Sequence, residues 1–135
     1  MINRVRAIII QGKSILVIKR VKTHEIYWVF PGGQVETDES REEAMVRECK
    51  EELGVEVKVE ELLFERPFEL EGEEKQMEYF YRCSIIGGEL GTGNGPEYEE
   101  NNHYEGTHEW EWVKIKDLDK IDLKPKEIKE NISKL

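Results

Sequence analysis

The segment Arg47-Glu48-Cys49-Lys50-Glu51-Glu52 concentrates more chemistry than any other in this 135-residue chain. A helix advances about 100° per residue. Glu48, Glu51 and Glu52 then fall with Ala44 inside one arc, and Met45, Val46, Cys49 and Leu53 form the neighbouring apolar arc. Carboxylates three and four residues apart repel one another by a few tenths of a kcal/mol per pair, roughly. Arg47 and Lys50 lie further round and cancel only part of it. Two readings stay open on these residues alone. The glutamates are a solvated face of a Glu-rich chain, or they converge on a hard divalent cation. Carboxylate oxygens suit Mg²⁺ or Mn²⁺, and Mg²⁺ is usually held by one or two carboxylates together with water and substrate phosphates.

The charge balance favours a cation if phosphates are handled at all. Thirty Asp and Glu oppose 20 Lys and Arg, a formal charge of −10. Such a chain releases few counterions from a nucleic-acid backbone, so a nucleic-acid polymer is not an expected partner. The apolar runs Ala7–Ile10 and Ile15–Ile18 are far too short to span a bilayer. Met1-Ile2-Asn3-Arg4 does not read as a signal peptide. Cys49 and Cys83 form no CxxC pair and read as buried small hydrophobes in a reducing compartment. The expectation is one domain over residues 1–135, located in the cytoplasm.

The elements that must position the glutamates follow from local pattern. Ser40 is a good N-cap, and Glu43 three residues later completes a capping box for a helix ending at Leu53, with Gly54 as the C′ residue. Arg4–Ile10 and Ser14–Arg20 read as a hairpin turning at Gln11-Gly12-Lys13, with Val21–Glu25 as a loop. Ile26–Phe30, Val55–Phe64, Gln76–Ile86 and Trp110–Ile115 read as further strands. The segment Gly87–Gly106 holds six glycines, five glutamates and no Lys or Arg, and reads as a long functional or disordered loop. Pro125–Leu135 reads as a C-terminal helix with Pro125 in its first turn. The class is α/β with a mixed sheet.

Read from Gly33, the chain gives Gly33, five residues, Glu39, seven residues, then Arg47-Glu48-Cys49-Lys50-Glu51-Glu52-Leu53-Gly54-Val55. This resembles the Nudix box, Gly-x5-Glu-x7-Arg-Glu-U-x-Glu-Glu-x-Gly-U with U aliphatic, and all seven fixed positions match. The one departure is Cys49 at an aliphatic position, where it packs as a small hydrophobe. Trp28-Val29-Phe30-Pro31-Gly32-Gly33 also looks like the family's approach to the box. The resemblance implies an α/β/α sandwich with a mixed sheet between helices. It implies that Glu48, Glu51 and Glu52 hold Mg²⁺, or Mn²⁺, and that Arg47 is an internal counter-charge orienting a glutamate. Glu39 then pins the loop, and Gly32, Gly33 and Gly54 are structural.

The implied reaction is attack of water on a pyrophosphate linkage of a nucleoside diphosphate joined to another group, aided by divalent metal. The general base is one of the box glutamates, Glu51 or Glu52, or a loop glutamate, with Glu105 the candidate nearest the last strand. Arg6 and Arg20 are candidate direct phosphate ligands, against the plainer reading of strand-end surface charges. His103 and His108 read as structural or solvent-facing. Tyr27, Tyr79, Phe80 and Tyr81 could stack on a base, but alternation puts Phe80 on the opposite face from Tyr79 and Tyr81. Secondary marks of other subgroups are absent, which favours a nucleoside triphosphate. A nucleotide-sugar hydrolase, a non-catalytic nucleotide sensor and a plain cation-binding module are the alternatives. A homodimer is common in the family.

Overall fold

The structure is a computed structural model describing residues 1–69, 71–93 and 107–135. Among the described residues, nine strands and two α-helices run in the order β1 (Ile2–Ile8), β2 (Ile10–Gln11), β3 (Ser14–Lys22), β4 (Glu25–Val29), β5 (Gly32–Gln34), α1 (Arg41–Leu53), β6 (Val55–Phe68), β7 (Gln76–Gly88), β8 (Thr107–Lys114), β9 (Leu123–Lys124) and α2 (Lys126–Ile132). A 3-10 helix, Ile115–Lys120, precedes β9.

The β-branched runs alternate their side chains between two apolar faces, so both faces of the central strands are buried. Val5 and Ala7 of β1, Leu16 and Ile18 of β3, and Tyr81 and Cys83 of β7 pack with the buried face of α1. Their neighbours of opposite parity on the same strands, Ile8, Ile15, Val17 and Phe80, pack instead with Phe30, Leu118, Leu123 and the α2 residues Ile128 and Ile132. Phe30 and Phe80 meet edge to face with centroids 5.4 Å apart. The result is the expected sandwich, with α1 and α2 against opposite faces of the strands.

The strands form two sheets rather than the one anticipated. One has the order β5-β1-β7-β6, and the other β2-β3-β4-β9 with β8 also on β3. Each is mixed: β1 runs parallel to β7, and β4 parallel to β9. The expected Arg4–Ile10 and Ser14–Arg20 hairpin therefore shrinks to the two-residue β2 against the start of β3. The chain leaves the ladder at Ile9, and β1 pairs with β5 and β7 instead. Val21–Glu25 is not a loop, because β3 runs on to Lys22 and β4 starts at Glu25, leaving Thr23-His24 as the turn. Pro125 caps α2 from just outside the helix. Gly87 and Gly88 belong to β7. Residues 94–106 lie outside the described residues. Among the described residues, no helix is long and apolar enough to cross a membrane.

Helix α1 carries the box residues, and its start and stop are chemically set. Glu43 N–H donates to Ser40 Oγ and Ser40 N–H to Glu43 Oε1, each at 3.0 Å, forming the capping box. Gly54 stops the helix at φ 82°, a left-handed conformation suited to glycine, and its N–H donates to Lys50 O at 3.0 Å. The buried face is Ala44, Met45, Cys49 and Leu53. Val46, expected inside, is 42% exposed, and Ala44 is buried in its place. Both cysteines are buried and unbridged, as expected.

Candidate active site

A cleft of about 410 Å³ opens between α1, β1, β5, β3 and β8. Its acidic side presents Glu48, Glu51 and Glu52 with Arg47, and its basic side presents Arg4, Arg6 and Arg20. Gly32, Gly33 and Gln34 of β5 form the seam between them.

The acidic side is organised by Arg47. Its Nε donates to Glu39 Oε2 at 2.7 Å and its Nη2 to Glu39 Oε1 at 3.0 Å, a bidentate pair. Nη1 donates to Glu48 Oε1 at 2.9 Å and to Glu51 Oε2 at 3.2 Å. Nη2 also donates to Gln34 O at 3.0 Å. These five bonds match the five N–H groups of a guanidinium, so every N–H of Arg47 is used within the protein. The repulsion anticipated along α1 is offset at this one cation. The Arg47 hydrogen bond holds the Glu39 carboxyl below its usual range. Hydrogen bonding to Glu39 in turn raises the Arg47 pKa. Glu39 also accepts from Glu36 N–H at 2.9 Å, tying the loop before the helix to the same cluster.

Gly33 is required by space. A Cβ there would lie 2.5 Å from the Glu48 carboxylate, which therefore sits directly on the strand backbone. Gly32 takes a positive φ where β5 crosses Val5 of β1, and a side chain would collide with the Val5 carbonyl. A Cβ on Gly54 would run into Thr92 and the backbone at Glu89.

On the basic side, Arg4 and Arg6 stand two residues apart on β1, hence on one face. Arg4 Nε donates to Gln76 Oε1 at 2.8 Å. Arg6 Nε donates to Glu78 Oε2 at 3.1 Å, and its Nη1 to Phe30 O at 3.2 Å. Arg20 of β3 is paired in register with His108 of β8, and both reach the cleft. Burial, and then the Arg20 charge, push His108 down from 6.5 to about 4, so it is neutral near pH 7.

The predicted residues Arg6, Arg20, Gly32, Gly33, Arg47, Glu48, Glu51 and Glu52 are thus gathered at one cleft. Glu39 stands behind Arg47, and Gly54 stands at the far end of α1. Glu105 and His103 lie outside the described residues. Sequence reasoning missed Arg4, whose signal was its two-residue spacing from Arg6, and it placed His108 outside the site. Of the candidate stacking aromatics, Tyr27 and Tyr81 are buried, and Tyr79 lies 4.0 Å under the Arg41 guanidinium. None of the four lines the cleft.

The donor set tests whether a metal fits. Hard carboxylate oxygens from Glu48, Glu51 and Glu52 face a space large enough for phosphates. Among the described residues, no three His, Cys, Asp or Glu side chains close into an ion-holding group. By donor chemistry alone, carboxylate oxygens suit a hard divalent cation such as Mg²⁺, which takes one or two of them and completes its octahedron with water and substrate.

Comparison with known proteins bears on the same residues. The family model described as the NUDIX domain matches residues 2–134. A putative nudix hydrolase 1 from Caenorhabditis elegans is 39% identical over 99 residues, covering 72% of this chain and 24% of the relative. A CTP pyrophosphohydrolase from Escherichia coli strain K12 is 42% identical over 74 residues, covering 53% of this chain and 55% of the relative. The chain thus spans between about a quarter and about half of these curated relatives. The solution structure of the E. coli ORF135 protein superposes with a TM-score of 0.67 at 28% identity, over 95% of this chain and 84% of that one.

Proposed function

This chain belongs to the Nudix family, and from that premise we propose that it is a divalent-metal-dependent pyrophosphohydrolase of nucleoside triphosphates. One observation carries the reading: Glu36, Glu48, Glu51 and Glu52 line a single cleft together with Arg4, Arg6 and Arg20. An acidic protein gains nothing by binding a polyanion at carboxylates alone. A cleft with a cation site on one wall and guanidinia on the other accommodates a triphosphate. The similarity to a CTP pyrophosphohydrolase supports a nucleoside triphosphate as the substrate class.

Glu48 and Glu52 would be the direct ligands of Mg²⁺ or Mn²⁺, with Glu51 completing the wall. When bound, the ion neutralises phosphate oxygens and lowers the pKa of bound water. Arg47 fixes the Glu48 and Glu51 carboxylates, so little reorganisation is needed when substrate arrives. Arg4, Arg6 and Arg20 supply donors to phosphate oxygens. The proton acceptor is a box glutamate, Glu51 or Glu52, or Glu105. Residues 1–135 act as one hydrolase domain on a small nucleotide in the cytoplasm, with no nucleic-acid polymer or membrane as partner.

The test is a nucleotide panel with Mg²⁺, following pyrophosphate and phosphate, with Glu52→Gln as control. Pyrophosphate release from a triphosphate that the control loses is the expected result. Release surviving Glu52→Gln unchanged removes the site assignment. Nucleotide binding with no turnover favours the sensor alternative.

A further inference from the structure

Gln76 and Glu78 are buried polar side chains of the core, 4% and 5% exposed. A buried amide, and still more a buried carboxylate, is costly unless matched. Each is matched by an arginine of β1, 72 residues away in sequence. The parallel pairing of β1 with β7 sets this up. Arg4 stands opposite Glu78 in register, so the alternate residues of the two strands share one face. On its other oxygen Glu78 accepts from Arg66 Nη1 at 2.5 Å, and Arg66 Nε meets Glu127 of α2 at 2.6 Å. A line of charges therefore runs from the cleft through the sheet to the C-terminal helix.

The choice of donor atoms matters. Both tethers use Nε, at the inner edge of the guanidinium. With the Phe30 contact, Arg6 commits two of its five N–H groups, and Arg4 commits one. The rest of each fork can serve a ligand, and both side chains line the cleft. Burial, and then the charge of Arg6, lower the Arg4 pKa, so the two guanidinia repel each other in the cleft wall. A stabilising ion pair needs no second arginine beside it. An anion carrying two adjacent negative groups relieves the crowding.

We propose that Gln76 and Glu78 are positioning residues, holding Arg4 and Arg6 as a two-pronged clamp for adjacent phosphate groups. The proposal rests on the nucleotide reading above, and inorganic pyrophosphate tests it separately. Pyrophosphate affinity is measured calorimetrically with Mg²⁺ for wild type, Glu78→Gln, Arg6→Ala and the double variant, with melting curves to show each is folded. The two single variants each weaken binding by at least about tenfold, the scale of one charge-assisted hydrogen bond. The double variant binds no worse than Arg6→Ala, because Glu78 acts through Arg6. For nucleotide hydrolysis, KM rises in step and kcat moves less.

A folded Glu78→Gln that binds pyrophosphate like wild type, or losses that multiply in the double variant, overturn the clamp. If Glu78→Gln does not fold, Gln76→Leu with Arg4→Ala in the same cycle decides. Pyrophosphate captured through Arg6 and Glu78 by a protein that hydrolyses no nucleotide keeps the clamp and removes the hydrolase. Nucleotide hydrolysis with silent tether variants does the reverse.

Discussion

The two walls of the cleft solve one electrostatic problem with signs exchanged. On α1, glutamates that repel one another are gathered by a single arginine, Arg47. On β1, two arginines that repel one another are held by Gln76 and Glu78 of β7. The partners differ in reach. Arg47 finds its carboxylates one, four and eight residues away, whereas the β1 tethers span 72. A wall built from one helix and its leading loop forms as soon as the helix does. A wall built across parallel strands exists only once the sheet is assembled. The first is therefore readable in local sequence, and the second is not.

If the walls work separately, substitutions on the acidic side should damage turnover and leave pyrophosphate affinity at the β1 arginines largely intact. The largest effect belongs to Glu52→Gln. Hydrolysis should fall on the order of 10²–10³-fold, the range for losing one charge-stabilising group. The melting temperature should stay close to wild type, because the five N–H groups of Arg47 are committed to Glu39, Glu48, Glu51 and Gln34 and keep those bonds in the variant. Steady-state kinetics and a melt settle both halves. Next comes Arg47→Lys. An ammonium cannot reproduce the fork to Glu39. Stability should drop by about 3 kcal/mol, as for a broken partly buried charge network, and turnover by about 10–100-fold, typical of an orienting residue. Urea unfolding beside kinetics reads the two. A loss of stability with full activity would deny Arg47 its orienting role.

The same contrast governs what could be read in advance. The capping box, Gly54, the apolar face and the seven matched positions are all local, and α1 was legible almost residue by residue. Only Val46 and Ala44 exchanged places, since burial depends on which sheet the helix meets. The β1 arginines were half legible. Arg6 was singled out as a cation in an acidic chain, but Arg4 was not, and nothing local reveals that Gln76 and Glu78 lie beneath them. The hairpin failed for the same reason. Two β-branched runs around a Gly turn invite pairing, and only the tertiary demand of β5 and β7 pulls β1 away at Ile9. Nor does local sequence show that His108 lines the cleft, because Arg20, its neighbour in register, comes from another strand.

Gly33→Ala sharpens the comparison at the seam. The added methyl must displace the Glu48 carboxylate from a 2.5 Å approach. Turnover should fall about tenfold, at the low end for a disturbed supporting contact. Pyrophosphate affinity measured without Mg²⁺ should change less than turnover, because the added methyl meets Glu48 and not Arg4 or Arg6. Calorimetry beside kinetics checks this, and equal loss in both would show that the walls are coupled. Between them, His108 reports on pH. Its folded pKa, about 4, lies below the ordinary 6.5, so the unfolded chain binds the extra proton first. Its contribution to stability is complete above pH 6.5 and fades as pH falls toward 4. His108→Gln should flatten the melting-temperature slope across that window. An unchanged slope would assign the acid sensitivity to other groups, such as Glu39, whose lowered pKa acts further toward acid.

The smallest effect separates scaffold from site. Ser40→Ala removes the hydroxyl that accepts from Glu43 N–H and so breaks the reciprocal cap. The cost should be about 1 kcal/mol of stability, in the ordinary range for an exposed N-cap. Glu48 lies two turns further along α1, past the packed residues Ala44 and Met45, and Arg47 pins it independently. Fraying at Ser40 should therefore stop before it reaches the carboxylates. Turnover at 25 °C should match wild type while the melting temperature falls by a few degrees. Turnover lost in proportion to stability would mean that Arg47 alone cannot hold the acidic wall, and that the helix start is part of the site.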